Sequence, residues 1–132
     1  MPKISKETAP TVEDAGPALD ISGPVDEYTV DFVTIRQEHS LAELLKGLPG
    51  DSCPCPHWGY LFAGKITVTY AERVESYQAG DAFLMSPGHV PAAETGTEFV
   101  QFSPTDQLNQ VRAHMTARVL AMQGEPSARA NA

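Results

Sequence analysis

The chain has little of what marks a membrane protein, a nucleic-acid binder or a disulfide scaffold. No apolar run approaches the roughly 18 residues that a membrane span requires. Among 132 residues there are 9 Lys and Arg against 17 Asp and Glu, a formal net charge of −8. No basic cluster offsets that excess, so phosphate backbones and anionic lipid surfaces would repel the chain. There are only two cysteines. Cys53 and Cys55 are one residue apart, and a disulfide between them would close a small, strained ring. The sequence has no Gly-rich phosphate loop, nucleophile elbow, paired-carboxylate motif or internal repeat. The opening MPKISKETAPTVEDAG lacks the hydrophobic stretch of a secretory leader. The expectation is a cytoplasmic protein whose two thiols stay reduced.

What remains is the composition of one globular domain, 42% hydrophobic and 20% charged, long enough to bury a core without staples. Residues 1–27 hold four prolines and mostly acidic polar residues, which predicts an extended or disordered arm. From Tyr28 the texture changes. Tyr28–Arg36 is β-branched and aromatic and predicts a strand. Ser40–Gly47 fits one helical turn capped by Ser40, or a short strand. Leu48-Pro49-Gly50-Asp51 is a turn. Strands are then predicted at Trp58–Phe62, Lys65–Tyr70, Val74–Gln78, Ala82–Met85, Val90–Glu94 and Glu98–Phe102. Glycine-containing breaks separate most of them, including Ala63-Gly64 and Thr95-Gly96-Thr97. Strands recurring roughly every 10 residues predict an all-β antiparallel sandwich or barrel over 28–104. Leu108, Val111, Met115, Val119 and Met122 then share one face of a helix over 105–124, laid on the barrel. Residues 125–132 read as a frayed tail.

The chemistry concentrates in Cys53-Pro54-Cys55-Pro56-His57-Trp58-Gly59-Tyr60. Pro54 and Pro56 favour an extended backbone, since proline fixes its own φ and disfavours helix in the residue before it. In an extended segment Cys53, Cys55 and His57 project to one face. Thiolate and neutral imidazole are the preferred ligands of zinc and other borderline-soft divalent metals. Ser86-Pro87-Gly88-His89-Val90-Pro91 sets a second histidine at a turn that opens a strand. If the two segments are neighbours, His89 completes a set of three or four ligands. His39 and His114 belong to neither segment and read as surface or edge residues. Trp58, Tyr60 and Phe62 alternate onto the opposite face, packed under the terminal helix or in a subunit contact.

These residues resemble the cupin superfamily, small β-barrels that hold a metal between two motifs, G-x5-H-x-H-x3,4-E-x6-G and G-x5-P-x-G-x2-H-x3-N. Gly64 fits the closing glycine of the first motif. His57 stands seven residues before it, where the family usually has glutamate. Cys53 falls on the second histidine and Asp51 on the first. Gly80 and Gly88 fit the glycines of the second motif, with Ser86 in the proline slot and Pro91 in the histidine slot. His89 lies two residues earlier, on the same side of a strand. The phrases Gly59-Tyr60-Leu61-Phe62-Ala63-Gly64 and Ala79-Gly80-Asp81-Ala82-Phe83 carry the likeness further. It implies a small double-stranded β-helix, or jelly-roll, and a homodimer, as is common in that superfamily.

The functional expectation is a metal-dependent enzyme acting on a small molecule. Its divalent ion is held by Cys55, His57 and His89, with Cys53 as an additional ligand, and zinc is favoured over iron, nickel or copper. Glu94 and Gln101 are further candidates on neighbouring strands. A non-catalytic ligand-binding or structural-metal module is the alternative, and a thiol-based redox protein is the third reading.

Overall fold

The computed structural model describes residues 2–123. Ten strands and two α-helices follow one another: β1 Thr11–Asp14, β2 Ala18–Val25, β3 Tyr28–Ile35, β4 His39–Ser40, α1 Ala42–Leu45, β5 His57–Ala63, β6 Lys65–Thr69, β7 Val74–Gln78, β8 Ala82–Met85, β9 Val90–Ala93, β10 Glu98–Pro104 and α2 Thr105–Gln123. They form a six-stranded sheet, ordered β1-β2-β3-β10-β5-β8, and a four-stranded sheet, ordered β4-β9-β6-β7. Every pairing is antiparallel. The two sheets form the antiparallel sandwich that the strand spacing predicts, and with the closing helix they make the jelly roll that the resemblance implies.

Side-chain alternation builds the core. In β5, His57 and Leu61 point inward, while Trp58, Tyr60 and Phe62 point outward. One core cluster joins Leu61, Ile66, Val68, Tyr70, Tyr77, Phe83 and Met85 between the sheets. A second joins Leu45, Cys53, Cys55, Leu108 and Val111 at the end closed by α1 and α2. The β5–β6 connection needs Gly64, whose φ is +84° and whose missing Cβ leaves room for Thr97. Thr97 Oγ1 accepts there from the Lys65 N–H at 3.1 Å.

Three local expectations change. The acidic lead-in is extended, but much of it is paired: β1 and β2 add two strands to the six-stranded sheet. Alternation of Leu19, Ile21 and Val25 with polar residues carries that pairing, despite the prolines. Residues before β1 fold back, because a Cβ at Gly23 would fall on the Ile4 and Pro10 side chains. Ser40 belongs to β4, and its Oγ accepts from the Ala42 N–H at 3.1 Å, one residue before the helical turn starts. On α2 only the first part of the apolar face is covered: Leu108 and Val111 are buried, whereas Val119 is 38% exposed. Gly124 and the tail lie outside the described residues.

Candidate metal centre

The two motifs meet through the backbone. The Cys53 N–H donates to the His89 carbonyl at 2.9 Å, and the Gly88 N–H donates to the Cys53 carbonyl at 2.8 Å. This isolated antiparallel bridge brings Cys53 beside His89. Four residues on, β5 begins at His57, paired with Met85 of β8. Cys53, His57 and His89 are all buried, and one donor atom from each lies within 4.8 Å of the other two. The imidazole centroids are 4.9 Å apart, and Cys53 Sγ is 3.8 Å from His57 Nε2. Sulfur and nitrogen ligands on a tetrahedral zinc stand about 3.6 Å apart, given bonds of about 2.3 and 2.0 Å.

Hydrogen bonding selects the tautomers. His89 Nδ1 is 2.7 Å from the Ser86 carbonyl, which can only accept, so Nδ1 carries the proton. The Nε2 lone pair is then bare. That atom is buried and has no partner. His57 Nδ1 is bonded to Ser103 Oγ at 2.6 Å, leaving Nε2 facing Cys53. This is the oriented arrangement of metal-binding imidazoles, each ring fixed through its other nitrogen. Burial, and next the neighbouring His89, hold the His57 pKa down to about 3. Burial also lowers that of His89, against the Ser86 hydrogen bond. Both rings are therefore neutral, the form that coordinates. The donor set fits a borderline-soft divalent ion.

Cys55 is not in this group. It is fully buried, with Sγ 3.5 Å from the Pro56 carbonyl. The reason lies in the backbone: Cys53 forms only a single bridge and β5 starts at His57, so residues 54–56 are not a strand and strict alternation does not run through them. Burial, then Cys53 and Asp31, push the Cys55 thiol up to about 12. Asp51 is exposed and accepts from the Gly47 N–H at 3.0 Å, outside the site.

The centre opens on a cavity of about 210 Å³ between the sheets. Its walls are mostly apolar, with Val33, Ile66, Phe99 and Met115 among them. Gln101 lines it, as does His39, a half-buried residue on edge strand β4. Glu94 is exposed beyond β9. Trp58, Tyr60 and Phe62 are exposed on the outer sheet face rather than packed under α2.

Four polar residues of this region were not singled out by pattern. Ser103 orients His57. Arg112 of α2 pairs with Asp31 and with Asp20, the latter at 3.2 Å. A signal for Asp31 existed: it shares inward parity with Val33 and Ile35, where a charge is out of place.

No family model matches the sequence, and no curated protein is detectably similar to it. Solved structures do match. A Rhizobium leguminosarum protein of unknown function is 18% identical, with a TM-score of 0.57 over 78% of this chain and 95% of its own. The polyketide cyclase RemF from Streptomyces resistomycificus is 13% identical, with a TM-score of 0.54 over 79% of each chain. An RmlC-like cupin from Shewanella frigidimarina is 20% identical, with a TM-score of 0.49 over 71% of this chain and 83% of its own. Likeness at such identities concerns the fold alone, and the fold shared is a two-sheet antiparallel jelly roll.

Proposed function

We propose that Cys53, His57 and His89 hold one divalent metal, zinc in preference to iron, nickel or copper. On this reading the protein is a metal-dependent enzyme acting on a small molecule in the adjoining cavity. The observation that carries the reading is the buried, unpartnered His89 Nε2 beside two further donor atoms. Three protein ligands leave a coordination position free, as in catalytic sites; structural zinc sites close with four. When bound, the ion supplies Lewis-acid polarisation of an oxygen on the ligand. His57 and His89 contribute neutral nitrogens, Ser103 and the Ser86 carbonyl fix their rings, and Cys53 gives up its proton on coordination. A non-catalytic ligand-binding module has the same donors and cavity and differs only in lacking turnover. Thiol redox chemistry is disfavoured by the Cys55 thiol, which is buried and pushed away from the reactive thiolate.

Elemental analysis of protein purified without chelating resin tests the proposal. One equivalent of metal per chain is expected, lost in Cys53→Ser and in His57→Ala. Full occupancy in both variants would sink the assignment.

We also propose a homodimer through the outer face of the six-stranded sheet. Trp58, Tyr60, Phe62, Leu84 and Phe102 are all exposed there. Outward positions on β5, β8 and β10 carry a single charge, Glu98 at one end. In a chain of net charge −8, a nearly charge-free aromatic face is where two copies meet with least repulsion. A sheet face of this kind is self-complementary about a two-fold axis. Reduced thiols in the site suit a reducing compartment, in keeping with a cytoplasmic location.

A further inference from the structure

The cavity has a second polar pole away from the cysteine and histidines. On the inner face of the six-stranded sheet, Ser22 is opposite Asp31 and Asp20 is opposite Val33, so the two aspartates are diagonal neighbours. Asp31 is fully buried, and Asp20 and Arg112 line the cavity. Arg112 bonds to both carboxylates. Glu13 of β1 is directly opposite Asp20. Three acidic groups therefore gather around one guanidinium. Arg112 is the one Lys or Arg among the described cavity residues.

Pinning α2 to the sheet needs one carboxylate. The second leaves Asp20 Oδ1 and Asp31 Oδ2 buried without hydrogen-bond partners. Apart from His89 Nε2, these are the only such side-chain atoms among the described residues. Buried acceptors are rarely left unpaired. A proton kept on Asp20 can bridge the two carboxylates, and because Asp20 lines the cavity a hydroxyl or ammonium donor on a ligand can take that proton's place. Burial and the Asp31 carboxylate also raise the Asp20 pKa, as expected where acceptors outnumber donors.

We propose that Asp20, with Arg112 beside it and Asp31 behind it, binds the hydroxyl or ammonium end of a small, otherwise apolar molecule, whose opposite end faces Cys53, His57 and His89. This rests on the cavity's being the ligand site, as proposed above, but not on the metal. Carboxylates are excluded, because Arg112 is already engaged by two of them. Asp31 on β3 and His57 on β5 are two strands apart, about 10 Å across the sheet. An apolar cavity of about 150 Å³ holds benzene, so 210 Å³ suits one ring with a short substituent.

The test uses the full chain, metal-free in chelator and again loaded with zinc. Benzylamine, benzyl alcohol and benzoate serve as size-matched probes, with binding read from chemical-shift changes of the Val33 and Met115 methyls. The amine and alcohol are expected to bind at least tenfold more tightly than benzoate in both states. Asp20→Asn is expected to lower benzylamine affinity at least tenfold. Benzoate binding as tightly as benzylamine, no binding of any probe, or an Asp20→Asn protein with unchanged preference would each overturn the proposal. The wild-type ranking decides by itself if the variant does not fold. The two readings fail separately. Amine preference in a chain that takes up no zinc leaves this pole standing and removes the metal site; zinc uptake without probe preference does the reverse.

Discussion

Cys53 and His89, 36 positions apart in the sequence, are neighbours because their backbones form an antiparallel bridge, with the Cys53 N–H 2.9 Å from the His89 carbonyl. The convergence of donors is thus a backbone property. A side-chain change should remove a ligand without dispersing the other two. Cys53→Ser and His89→Ala are each expected to lose zinc on equilibrium dialysis, while Cys55→Ser keeps it. Elemental analysis of the three dialysed proteins checks this, and loss in Cys55→Ser alone would reverse the assignment of the two cysteines.

Ser103 touches His57 and not the cavity's other donors. Removing its hydroxyl frees the ring to turn. Ser103→Ala should weaken zinc binding by about 10–100-fold, the usual consequence of losing a ligand's orienting partner. Competition with a chromogenic chelator gives the ratio.

Stability of the metal-free protein should depend on pH through the buried rings. An unfolded histidine protonates near pH 6.5, whereas burial and His89 hold folded His57 down to about 3. Below about pH 6.5 the unfolded chain gains a proton that the folded chain does not. The stabilisation is therefore fully present above that pH and is lost progressively toward pH 3. His89 is shifted in the same direction. Asp20, shifted upward, opposes it, because the folded state holds a proton that the unfolded state has released. Urea midpoints should fall from pH 7 to pH 5, and fall more steeply in Asp20→Asn. A flat profile in both proteins would contradict the burial of the two rings.

Results

Sequence analysis

The chain has little of what marks a membrane protein, a nucleic-acid binder or a disulfide scaffold. No apolar run approaches the roughly 18 residues that a membrane span requires. Among 132 residues there are 9 Lys and Arg against 17 Asp and Glu, a formal net charge of −8. No basic cluster offsets that excess, so phosphate backbones and anionic lipid surfaces repel the chain. There are only two cysteines. Cys53 and Cys55 are one residue apart, and a disulfide between them would close a small, strained ring. The sequence has no Gly-rich phosphate loop, nucleophile elbow, paired-carboxylate motif or internal repeat. The opening MPKISKETAPTVEDAG lacks the hydrophobic stretch of a secretory leader. The expectation is a cytoplasmic protein whose two thiols stay reduced.

What remains is the composition of one globular domain, 42% hydrophobic and 20% charged, long enough to bury a core without staples. Residues 1–27 hold four prolines and mostly acidic charges, which predicts an extended or disordered arm. From Tyr28 the texture changes. Tyr28–Arg36 is β-branched and aromatic and predicts a strand. Ser40–Gly47 fits one helical turn capped by Ser40, or a short strand. Leu48-Pro49-Gly50-Asp51 is a turn. Strands are then predicted at Trp58–Phe62, Lys65–Tyr70, Val74–Gln78, Ala82–Met85, Val90–Glu94 and Glu98–Phe102. Glycine-containing breaks separate most of them, including Ala63-Gly64 and Thr95-Gly96-Thr97. Strands recurring roughly every 10 residues predict an all-β antiparallel sandwich or barrel over 28–104. Leu108, Val111, Met115, Val119 and Met122 then share one face of a helix over 105–124, laid on the barrel. Residues 125–132 read as a frayed tail.

The chemistry concentrates in Cys53-Pro54-Cys55-Pro56-His57-Trp58-Gly59-Tyr60. Pro54 and Pro56 favour an extended backbone, since proline fixes its own φ and disfavours helix in the residue before it. In an extended segment Cys53, Cys55 and His57 project to one face. Thiolate and neutral imidazole are the preferred ligands of zinc and other borderline-soft divalent metals. Ser86-Pro87-Gly88-His89-Val90-Pro91 sets a second histidine at a turn that opens a strand. If the two segments are neighbours, His89 completes a set of three or four ligands. His39 and His114 belong to neither segment and read as surface or edge residues. Trp58, Tyr60 and Phe62 alternate onto the opposite face, packed under the terminal helix or in a subunit contact.

These residues resemble the cupin superfamily, small β-barrels that hold a metal between two motifs, G-x5-H-x-H-x3,4-E-x6-G and G-x5-P-x-G-x2-H-x3-N. Gly64 fits the closing glycine of the first motif. His57 stands seven residues before it, where the family usually has glutamate. Cys53 falls on the second histidine and Asp51 on the first. Gly80 and Gly88 fit the glycines of the second motif, with Ser86 in the proline slot and Pro91 in the histidine slot. His89 lies two residues earlier, on the same side of a strand. The phrases Gly59-Tyr60-Leu61-Phe62-Ala63-Gly64 and Ala79-Gly80-Asp81-Ala82-Phe83 carry the likeness further. It implies a small double-stranded β-helix, or jelly roll, and a homodimer, as is common in that superfamily.

The functional expectation is a metal-dependent enzyme acting on a small molecule. Its divalent ion is held by Cys55, His57 and His89, with Cys53 as an additional ligand, and zinc is favoured over iron, nickel or copper. Glu94 and Gln101 are further candidates on neighbouring strands. A non-catalytic ligand-binding or structural-metal module is the alternative, and a thiol-based redox protein is the third reading.

Overall fold

The computed structural model describes residues 2–123. Ten strands and two α-helices follow one another: β1 Thr11–Asp14, β2 Ala18–Val25, β3 Tyr28–Ile35, β4 His39–Ser40, α1 Ala42–Leu45, β5 His57–Ala63, β6 Lys65–Thr69, β7 Val74–Gln78, β8 Ala82–Met85, β9 Val90–Ala93, β10 Glu98–Pro104 and α2 Thr105–Gln123. They form a six-stranded sheet, ordered β1-β2-β3-β10-β5-β8, and a four-stranded sheet, ordered β4-β9-β6-β7. Every pairing is antiparallel. The two sheets form the antiparallel sandwich that the strand spacing predicts, and with the closing helix they make the jelly roll that the resemblance implies.

Side-chain alternation builds the core. In β5, His57 and Leu61 point inward, while Trp58, Tyr60 and Phe62 point outward. One core cluster joins Leu61, Ile66, Val68, Tyr70, Tyr77, Phe83 and Met85 between the sheets. A second joins Leu45, Cys53, Cys55, Leu108 and Val111, with α1 and α2 both contributing. The β5–β6 connection needs Gly64, whose φ is +84° and whose missing Cβ leaves room for Thr97. Thr97 Oγ1 accepts there from the Lys65 N–H at 3.1 Å.

Three local expectations change. The acidic lead-in is extended, but much of it is paired: β1 and β2 add two strands to the six-stranded sheet. Alternation of Leu19, Ile21 and Val25 with other residues carries that pairing, despite the prolines. Residues before β1 fold back, because a Cβ at Gly23 would fall on the Ile4 and Pro10 side chains. Ser40 belongs to β4, and its Oγ accepts from the Ala42 N–H at 3.1 Å, where the helical turn starts. On α2 only the first part of the apolar face is covered: Leu108 and Val111 are buried, whereas Val119 is 38% exposed. Gly124 and the tail lie outside the described residues.

Candidate metal centre

The two motifs meet through the backbone. The Cys53 N–H donates to the His89 carbonyl at 2.9 Å, and the Gly88 N–H donates to the Cys53 carbonyl at 2.8 Å. This isolated antiparallel bridge brings Cys53 beside His89. Four residues on, β5 begins at His57, paired with Met85 of β8. Cys53, His57 and His89 are all buried, and one donor atom from each lies within 4.8 Å of the other two. The imidazole centroids are 4.9 Å apart, and Cys53 Sγ is 3.8 Å from His57 Nε2. Sulfur and nitrogen ligands on a tetrahedral zinc stand about 3.6 Å apart, given bonds of about 2.3 and 2.0 Å.

Hydrogen bonding selects the tautomers. His89 Nδ1 is 2.7 Å from the Ser86 carbonyl, which can only accept, so Nδ1 carries the proton. The Nε2 lone pair is then bare. That atom is buried and has no partner. His57 Nδ1 is bonded to Ser103 Oγ at 2.6 Å, leaving Nε2 facing Cys53. Metal-binding imidazoles are oriented in this way, each ring fixed through its other nitrogen. Burial, and next the neighbouring His89, hold the His57 pKa down to about 3. Burial also lowers that of His89, against the Ser86 hydrogen bond. Both rings are therefore neutral, the form that coordinates. The donor set fits a borderline-soft divalent ion.

Cys55 is not in this group. It is fully buried, with Sγ 3.5 Å from the Pro56 carbonyl. The reason lies in the backbone. Cys53 forms only a single bridge and β5 starts at His57, so residues 54–56 are not a strand and strict alternation does not run through them. Burial, then Cys53 and Asp31, push the Cys55 thiol up to about 12. Asp51 is exposed and accepts from the Gly47 N–H at 3.0 Å, outside the site.

The centre opens on a cavity of about 210 Å³. Its walls are mostly apolar, with Val33, Ile66, Phe99 and Met115 among them. Gln101 lines it, as does His39, a half-buried residue on edge strand β4. Glu94 is exposed beyond β9. Trp58, Tyr60 and Phe62 are exposed on the outer sheet face rather than packed under α2.

Pattern alone does not single out four polar residues of this region. Ser103 orients His57. Arg112 of α2 pairs with Asp31 and with Asp20, the latter at 3.2 Å. A signal for Asp31 exists: it shares inward parity with Val33 and Ile35, where a charge is out of place.

No family model matches the sequence, and no curated protein is detectably similar to it. Solved structures do match. A Rhizobium leguminosarum protein of unknown function is 18% identical, with a TM-score of 0.57 over 78% of this chain and 95% of its own. The polyketide cyclase RemF from Streptomyces resistomycificus is 13% identical, with a TM-score of 0.54 over 79% of each chain. An RmlC-like cupin from Shewanella frigidimarina is 20% identical, with a TM-score of 0.49 over 71% of this chain and 83% of its own. Likeness at such identities concerns the fold alone, and the fold shared is a two-sheet antiparallel jelly roll.

Proposed function

We propose that Cys53, His57 and His89 hold one divalent metal, zinc in preference to iron, nickel or copper. On this reading the protein is a metal-dependent enzyme acting on a small molecule in the adjoining cavity. The observation that carries the reading is the buried, unpartnered His89 Nε2 beside two further donor atoms. Three protein ligands leave a coordination position free, as in catalytic sites; structural zinc sites close with four. When bound, the ion supplies Lewis-acid polarisation of an oxygen on the ligand. His57 and His89 contribute neutral nitrogens, Ser103 and the Ser86 carbonyl fix their rings, and Cys53 gives up its proton on coordination. A non-catalytic ligand-binding module has the same donors and cavity and differs only in lacking turnover. Thiol redox chemistry is disfavoured by the Cys55 thiol, which is buried and held away from the reactive thiolate form.

Elemental analysis of protein purified without chelating resin tests the proposal. One equivalent of metal per chain is expected, lost in Cys53→Ser and in His57→Ala. Full occupancy in both variants would sink the assignment.

We also propose a homodimer through the outer face of the six-stranded sheet. Trp58, Tyr60, Phe62, Leu84 and Phe102 are all exposed there. Outward positions on β5, β8 and β10 carry a single charge, Glu98 at one end. In a chain of net charge −8, a nearly charge-free aromatic face is where two copies meet with least repulsion. Pairing about a two-fold axis sets the same patch on both subunits. Reduced thiols in the site suit a reducing compartment, in keeping with a cytoplasmic location.

A further inference from the structure

The cavity has a second polar pole besides the cysteine and histidines. On the inner face of the six-stranded sheet, Ser22 is opposite Asp31 and Asp20 is opposite Val33, so the two aspartates are diagonal neighbours. Asp31 is fully buried, and Asp20 and Arg112 line the cavity. Arg112 bonds to both carboxylates. Glu13 of β1 is directly opposite Asp20. Three acidic groups therefore gather around one guanidinium. Among the described residues that line the cavity, Arg112 alone is a lysine or arginine.

Pinning α2 to the sheet needs one carboxylate. The second leaves Asp20 Oδ1 and Asp31 Oδ2 buried without hydrogen-bond partners. Apart from His89 Nε2, no other side-chain nitrogen or oxygen among the described residues is in that condition. Buried acceptors are rarely left unpaired. A proton kept on Asp20 can bridge the two carboxylates, and because Asp20 lines the cavity a hydroxyl or ammonium donor on a ligand can take that proton's place. Burial and the Asp31 carboxylate also raise the Asp20 pKa, as expected where acceptors outnumber donors.

We propose that Asp20, with Arg112 beside it and Asp31 behind it, binds the hydroxyl or ammonium end of a small, otherwise apolar molecule, whose opposite end faces Cys53, His57 and His89. This rests on the cavity's being the ligand site, as proposed above, but not on the metal. Carboxylates are excluded, because Arg112 is already engaged by two of them. Asp31 on β3 and His57 on β5 are two strands apart, about 10 Å across the sheet. An apolar cavity of about 150 Å³ holds benzene, so 210 Å³ suits one ring with a short substituent.

The test uses the full chain, metal-free in chelator and again loaded with zinc. Benzylamine, benzyl alcohol and benzoate serve as size-matched probes, with binding read from chemical-shift changes of the Val33 and Met115 methyls. The amine and alcohol are expected to bind at least tenfold more tightly than benzoate in both states. Asp20→Asn is expected to lower benzylamine affinity at least tenfold. Benzoate binding as tightly as benzylamine, no binding of any probe, or a folded Asp20→Asn protein with unchanged preference would each overturn the proposal. The wild-type ranking decides by itself if the variant does not fold. The two readings fail separately. Amine preference in a chain that takes up no zinc leaves this pole standing and removes the metal site; zinc uptake without probe preference does the reverse.

Discussion

Cys53 and His89, 36 positions apart in the sequence, are neighbours because their backbones form an antiparallel bridge, with the Cys53 N–H 2.9 Å from the His89 carbonyl. The convergence of donors is thus a backbone property. A side-chain change should remove a ligand without dispersing the other two. Cys53→Ser and His89→Ala are each expected to lose zinc on equilibrium dialysis, while Cys55→Ser keeps it. Elemental analysis of the three dialysed proteins checks this, and loss in Cys55→Ser alone would reverse the assignment of the two cysteines.

Ser103 Oγ is the partner of His57 Nδ1, at 2.6 Å. Removing the hydroxyl frees the ring to turn. Ser103→Ala should weaken zinc binding by about 10–100-fold, the usual consequence of losing a ligand's orienting partner. Competition with a chromogenic chelator gives the ratio, and an unchanged affinity would mean that packing alone holds the ring.

Stability of the metal-free protein should depend on pH through the buried rings. An unfolded histidine protonates near pH 6.5, whereas burial and His89 hold folded His57 down to about 3. Below about pH 6.5 the unfolded chain gains a proton that the folded chain does not. The stabilisation is therefore fully present above that pH and is lost progressively toward pH 3. His89 is shifted in the same direction. Asp20, shifted upward, opposes it, because the folded state keeps a proton that the unfolded state releases. Urea midpoints should fall from pH 7 to pH 5, and fall more steeply in Asp20→Asn. A flat profile in both proteins would contradict the burial of the two rings.

Asp31 has no exposure to water and is paired with Arg112. Arg112→Met strands that carboxylate in the core and should destabilise the fold by about 3–5 kcal/mol, as when one partner of a buried pair is removed. Adding Asp31→Asn to the same protein should recover part of the loss. Urea unfolding of the single and double variants measures both, and additive losses would show that the pair is not coupled.

Trp58 and Phe62 are exposed on the same sheet face, so charges there should cost the monomer little. Trp58→Lys with Phe62→Glu is expected to leave the circular dichroism spectrum unchanged and to convert a dimer to a monomer in sedimentation velocity. Wild-type protein that sediments as a monomer at micromolar concentration would remove the self-association proposal.

Much of this architecture is legible in the residues. The runs Val74–Gln78 and Ala82–Met85 coincide with β7 and β8, because alternation and turn glycines are local signals. Cys53, Cys55, His57 and His89 stand out as chemistry by type and spacing alone. The tertiary structure decides the rest. It separates Cys55 from the other three candidates, since the residues between Cys53 and β5 leave strand geometry and parity ceases to count positions. It also recruits Asp20, Asp31, Ser103 and Arg112, which come from β2, β3, β10 and α2. No spacing rule links residues that meet only when a sheet and a helix close over one cavity.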